Sequence, residues 1–153
     1  ILEAGDNLDV GNKPQNVGIR VHLPFEKKGN PYLHVEKVYK HFTTRLQSFV
    51  SLIQGAYIGP GGIGTLLELS LLMQMKQTNH LDSHFPIVAT PKFWKPVLET
   101  FYDVSYQQMD KTRQLIGEND MACVTFSDDI EEIISLFEIA FQKWQQTRNL
   151  SGK

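Results

Sequence analysis

The chain reads as an α/β protein built on a parallel sheet with helices on both faces. Three observations predict this. Short apolar runs of strand type alternate with longer segments of helical period from Val17 to Trp144, the pattern that a parallel sheet with crossover helices leaves in a sequence. The stretch Gly55-Ala56-Tyr57-Ile58-Gly59-Pro60-Gly61-Gly62-Ile63-Gly64-Thr65-Leu66-Leu67-Glu68 has the form strand, glycine turn, helix start. Finally, Ile130, Ile133, Ile134, Phe137, Ala140, Phe141 and Trp144 recur with a period near 3.6, which marks an amphipathic helix closing the chain.

The first elements are these. Ile1 to Leu8 reads as the tail of a helix, so the expectation is that the N-terminal part of the domain is missing. Asp9 to Asn16 is a Gly/Asn/Pro loop, and Val17 to Leu23 alternates as a strand before Pro24. The Lys27 to Asn30 tip reads as a solvated turn. Tyr32 to Phe42 is open between two readings: Val35, Val38 and Phe42 have helical spacing, but an extended piece fits as well. Thr43 or Thr44 caps a helix to Gln54, with Leu46, Phe49, Val50 and Ile53 on one face.

Ala56 to Ile58 is the next strand, and Leu66 to Met75 the helix after it. That helix is apolar on all sides, which means burial by a sheet on one side and something else on the other. The second neighbour is either a partner subunit or the rest of a larger monomer. Thr78 to His84 is a polar loop; His80, Asp82 and His84 do not make a metal-ligand set, so no metal is expected. Phe85 to Ala89 is a strand, and Lys92 to about Tyr106 a helix with Pro96 in its first turn. Gln107 to Asp120 is polar and partly helical. Ala122 to Phe126 is the last strand and contains Cys123, read as a small core residue. Asp128 and Glu131 make a capping box for the last helix, which frays from Gln145.

Composition bounds the function. A chain of 153 residues with 41% hydrophobic and 21% charged residues can bury the core of one domain, and 1–153 is read as one. A net charge of −2 supplies no electrostatic attraction for nucleic acid or an anionic membrane. No apolar run approaches the ~20 residues of a membrane span. A single cysteine excludes an internal disulfide and fits a reducing, cytoplasmic setting.

The chemistry concentrates on the glycine stretch. Glycines let backbone N–H groups approach an anion, and the first turn of a helix directs unpaired N–H groups and its dipole at it. The stretch is neither a P-loop, since no Lys follows Gly64, nor a G-x-G-x-x-G turn. Thr65 and Glu68 fit a capping box, Thr65 at N-cap and Glu68 at N3. Glu68 is also the only charge between Arg45 and Lys76, so it can be a working carboxylate. Arg45 lies in a first helical turn, where a cation is mildly unfavourable; it reads either as a surface arginine or as a ligand.

Pro60-Gly61-Gly62-Ile63-Gly64-Thr65-Leu66-Leu67-Glu68 resembles the P-G-G-x-G-T-x-x-E signature of the LOG (Lonely Guy) family, whose members are nucleoside 5′-monophosphate phosphoribohydrolases long labelled lysine decarboxylases. Leu23-Pro24-Phe25-Glu26 and Asn30-Pro31-Tyr32 resemble the family's L-P-x-E and N-P-Y, and Ile1 to Leu8 its G-x-M-E-A-A-N, with Leu2 for Met and Asp6 where Asn is frequent. The resemblance implies a Rossmann-like fold and cleavage of an N-glycosidic bond without cofactor. It implies catalytic Glu68 and Arg45, a 5′-phosphate held by Gly61, Gly62, Gly64 and Thr65, and a further substrate contact at Glu3. It also implies a homodimer formed through the Leu66–Met75 helix. Leu46 stands where the family follows its Arg with Lys, which leaves a second reading: a non-catalytic nucleotide or molybdenum-cofactor carrier on the same fold.

Overall fold

The computed structural model describes residues 16–24 and 30–151. The expected helix tail at 1–8, the loop to residue 15 and the residues 25–29 lie outside the described residues, and Glu3 and Glu26 with them. The chain divides into two compact units, residues 1–53 and 54–153.

In the first unit, β1 (Val17–Val21) and β2 (Val35–Tyr39) pair in parallel, Val17 opposite Val35 and Val21 opposite Tyr39. The segment whose sequence fits both helix and strand is thus extended. Its exposure alternates residue by residue, with Val35, Lys37 and Tyr39 half-buried between exposed neighbours, the period of a pleated strand. Arg20 and Glu36 form an ion pair across the two strands, Nε to Oε1 2.7 Å. Helix α1 (Phe42–Leu52) starts before the expected threonine cap: His41 holds the N-cap position without a side-chain bond. The Thr44 hydroxyl instead donates back to the His41 carbonyl, at 3.0 Å.

In the second unit, β3 (Ala56–Ile58), β4 (Ile87–Ala89) and β5 (Val124–Phe126) form a parallel sheet in that order. The ladder aligns Ala56 with Ile87 and Ile87 with Val124. Helices α2 (Ile63–Gln77), α3 (Pro91–Tyr102) and α4 (Ile130–Ser151) come after the three strands in turn. The core lies on the central strand. Ile87, Val88 and Ala89 are all buried, so β4 is apolar without alternation, as a strand covered on both faces must be. Leu69 and Leu72 of α2 and Trp94 of α3 also belong to the core.

Several boundaries differ from expectation for local reasons. Pro91, not Lys92, opens α3; its missing N–H costs nothing at the first helical position. Pro96 consequently sits beyond the first turn, inside the helix. The far end agrees with expectation: past Tyr102 the helical path continues as a π turn over Asp103–Gln107, close to the expected end at about Tyr106. Cys123 ends a 3-10 turn, Asp120–Cys123, ahead of β5 rather than within it. The cap of α4 is Asp129 instead of Asp128: Asp129 Oδ1 accepts from the backbone N–H groups of Glu131 (2.9 Å) and Glu132 (3.3 Å). Glu132 in turn accepts from the Ser127 hydroxyl. On α4 only part of the apolar face is covered: Ala140 is buried, while Ile130, Ile134 and Phe141 are exposed. Among the described residues no helix is long and apolar enough to cross a membrane.

Candidate functional site

The glycine loop leaves the carboxyl end of β3, where ligands bind in open parallel sheets. Two residues at the next strand–helix junction hold its first carbonyls. The Ile58 carbonyl accepts from Thr90, from the backbone N–H at 3.0 Å and from the hydroxyl at 3.2 Å. The Gly59 carbonyl accepts from the indole Nε1–H of Trp94 at 2.8 Å. The Tyr57 hydroxyl lies 3.3 Å from Thr90 Oγ1. The loop then runs through Pro60 and Gly61 to Gly62, which occupies the N-cap position of α2 in an extended conformation, φ −95° and ψ −153°.

Among the described residues no side chain caps α2. The predicted capping box is therefore overturned. Thr65 is the third helical residue and Glu68 the sixth, too far along the helix to reach the N-cap amide. Glycine at N-cap is the cause: it lets the helix start three residues earlier than the hydroxyl pattern suggests. The unpaired N–H groups of the first turn face the loop, and no acidic residue in that turn opposes an anion there.

The glycines serve access more than conformation. Among the described residues no glycine has a positive φ. A Cβ built on Gly59, Gly62 or Gly64 would meet nothing within 4 Å, so the backbone stands open to a ligand at all three. Gly61 is different: a Cβ there would collide with the Thr65 side chain. Thr65 is thus seated directly against the loop. Gly64 and Glu68, four residues apart, and Thr65 and Glu68, three apart, share one face of α2. The second unit thereby brings together Gly61, Gly62, Gly64, Thr65 and Glu68. Glu68 is half-buried.

Arg45 belongs to the first unit. It is half-buried on α1, and its Nε donates to the Ile19 carbonyl of β1 at 3.1 Å. Glu3 lies outside the described residues.

Sequence reasoning missed the roles of Thr90 and Trp94. One signal was present. A buried indole N–H needs an acceptor, and Trp94 lies just after a Thr-Pro helix start that abuts a strand end.

Among the described residues no three His, Cys, Asp or Glu side chains gather as a cation site. Lys76 is the described lysine whose environment is most perturbed. Burial pulls its ammonium below the ordinary lysine value, against the raising influence of Cys123 and Asp82. Its Nζ donates to the carbonyls of Asp82 (3.1 Å), Ser83 (2.6 Å) and Phe85 (2.7 Å). All three protons are used to close the loop after α2. A lysine so engaged does not fit the Schiff-base role that a pyridoxal-phosphate decarboxylase requires.

Parallel strands alternating with helices, and a glycine loop between a strand end and a helix N-terminus, make this a Rossmann-like α/β protein. Residues 4–137 match the family described as "Possible lysine decarboxylase", and the chain belongs to that family, the LOG family. No curated protein matches the chain at a significant level.

Proposed function

We propose that the protein is a nucleoside 5′-monophosphate phosphoribohydrolase. Water attacks C1′ of the ribose, the N-glycosidic bond breaks, and the base leaves with a proton as free adenine or an N6-substituted adenine. The other product is ribose 5-phosphate. The observation that carries this reading is the uncapped start of α2, approached by glycines open to ligand, about one and a half helical turns before Glu68. The 5′-phosphate would take the N–H groups of Gly62 to Thr65 and the Thr65 hydroxyl, with Gly61 keeping that hydroxyl close to the loop.

Glu68 would face the sugar and either activate the water or stabilise the oxocarbenium-like transition state. Arg45 enters as a phosphate ligand on the strength of family membership; its fork suits bidentate contact with phosphate oxygens. The reading needs no cofactor. It includes a homodimer through α2 and a cytoplasmic setting.

The test is direct. Protein incubated with AMP is assayed for adenine and ribose 5-phosphate in equal amounts. AMP left intact under conditions that saturate binding would overturn the enzymatic reading.

One observation favours a second reading. Leu46 occupies the position after Arg45, so the cationic pair of the family is incomplete. A nucleotide or molybdenum-cofactor carrier needs the anion-binding loop but not the hydrolytic step. AMP binding without release of adenine would favour it.

A further inference from the structure

We propose that Trp94 is a positioning residue for the phosphate loop, acting through the carbonyl of Gly59. The inference rests on the reading of that loop as the 5′-phosphate site. Trp94 is 2% exposed, so its indole N–H has no recourse to water and must find an acceptor inside the protein. The acceptor is the Gly59 carbonyl at 2.8 Å, 35 residues away in sequence. Gly59 lies one residue past the β3–β4 ladder, which ends at Ile58 and Ala89. Its carbonyl has left the sheet, and the indole replaces the missing strand partner.

The contact has leverage because Pro60 is the next residue. A hydrogen bond to the Gly59 carbonyl orients the peptide plane between Gly59 and Pro60. The pyrrolidine ring then holds φ of Pro60 near its one permitted value. Orientation therefore passes from the indole to the Gly61 amide with one soft torsion, ψ of Pro60, between. Thr90 secures the preceding carbonyl in the same way, at Ile58. Both donors belong to the start of α3, where the Trp94 backbone N–H also donates to the Thr90 carbonyl at 3.0 Å. The start of α3 is thus a clamp on the last two carbonyls before Pro60. Trp94 touches no reacting atom; its effect is expected on phosphate binding, not on bond cleavage.

The experiment compares Trp94→Phe with wild type in AMP hydrolysis and in competitive inhibition by inorganic phosphate. A second variant carries benzothienylalanine at position 94, which keeps both fused rings and lacks the N–H, so packing is preserved if the Phe variant fails to fold. Removing one buried hydrogen bond should raise KM for AMP and Ki for phosphate together by about three- to ten-fold, with kcat nearly unchanged. A benzothienylalanine variant with wild-type KM and Ki overturns the proposal and leaves Trp94 as core packing. So does a fall in kcat at unchanged KM and Ki. A wild-type protein that neither binds nor cleaves AMP overturns the functional reading itself, and this inference falls with it.

Discussion

The side chain of Thr65 rests against the α-carbon of Gly61, so closely that a Cβ on Gly61 would collide with it. This contact ties the loop to the third residue of α2 and explains why glycine is needed at 61 without any special backbone angle. Gly61→Ala should therefore destabilise the protein by about 1–3 kcal/mol, the scale of overpacking, and weaken AMP binding. Gly64→Ala should behave oppositely in stability. Its Cβ would meet nothing within 4 Å, and alanine at a helical position gains up to ~1 kcal/mol over glycine. The new methyl would nevertheless stand where phosphate approaches. Thermal unfolding and KM for AMP together test the pair. A Gly64→Ala protein with higher Tm and unchanged KM would place the ligand elsewhere.

Much of this is legible in the residues, and the misreadings have physical causes. The strand at Ala56–Ile58 and the helix beyond it follow from an apolar run, a breaker cluster and a second apolar run. The helix start is misplaced because Thr-x-x-Glu satisfies a capping-box pattern wherever it falls, while glycine at N-cap leaves no side-chain signal. At Val35–Tyr39, apolar residues at helical spacing point to a helix, and only pairing with β1 imposes the strand. The Trp94–Gly59 bond joins positions 35 residues apart. Locally only the need of a buried indole N–H for an acceptor is legible; which acceptor it takes is decided by the packing of α3 against the end of β3.

Cys123 should be a slow thiol. Burial raises its pKa above the ordinary 9.0, assisted by Asp120 and opposed by its backbone hydrogen bond and Lys76. Its Sγ donates to the Asp120 carbonyl at 3.2 Å. Thiolate, the alkylating species, is thus scarcer than in a free cysteine at the same pH. Iodoacetamide at pH 8 should label the native protein more slowly than the urea-unfolded chain. A raised acid pKa also means that folding favours the protonated thiol. The associated stability is complete below pH 9 and is lost as pH rises through the folded value. The urea midpoint of wild type relative to Cys123→Ala should accordingly fall above pH 9. Equal labelling rates in both states would refute the burial argument.

A homodimer through α2 makes a prediction that the exposure pattern sharpens. Leu69 and Leu72 are fully buried, whereas Leu67 is 43% exposed and Ile63 83%. Beside them a cleft of about 380 Å³ lies between α2 and α3, lined by Leu66, Met73, Val97 and Phe101 among others. A charge at Leu72 would unfold the core and report nothing about association. Leu67→Asp should keep the fold, with Tm little changed, and convert a dimer at micromolar concentration to monomer by light scattering. Wild-type protein that is monomeric under the same conditions would remove the dimer from the proposal.

Glu68→Gln is the sharpest test of catalysis, because the geometry has removed the competing role. As the sixth residue of α2, Glu68 does not cap the helix, so the substitution should leave the helix start intact. Glutamine keeps the size of the side chain and one acceptor oxygen, with an NH2 donor in place of the other. It has no negative charge to set against an oxocarbenium-like ion and no basicity with which to draw a proton from water. Turnover of AMP should therefore drop by about 100-fold or more, the scale of general acid–base catalysis. AMP affinity should hold, since the phosphate contacts assigned to Gly62, Gly64 and Thr65 do not involve the carboxylate. Arg45→Ala should differ, raising KM as well as lowering kcat; it also forfeits the 3.1 Å bond to the Ile19 carbonyl, so its Tm should fall. Single-turnover rates and equilibrium binding measured on both variants separate these outcomes. Wild-type turnover by Glu68→Gln would end the catalytic assignment and leave the loop as the anion site of a carrier.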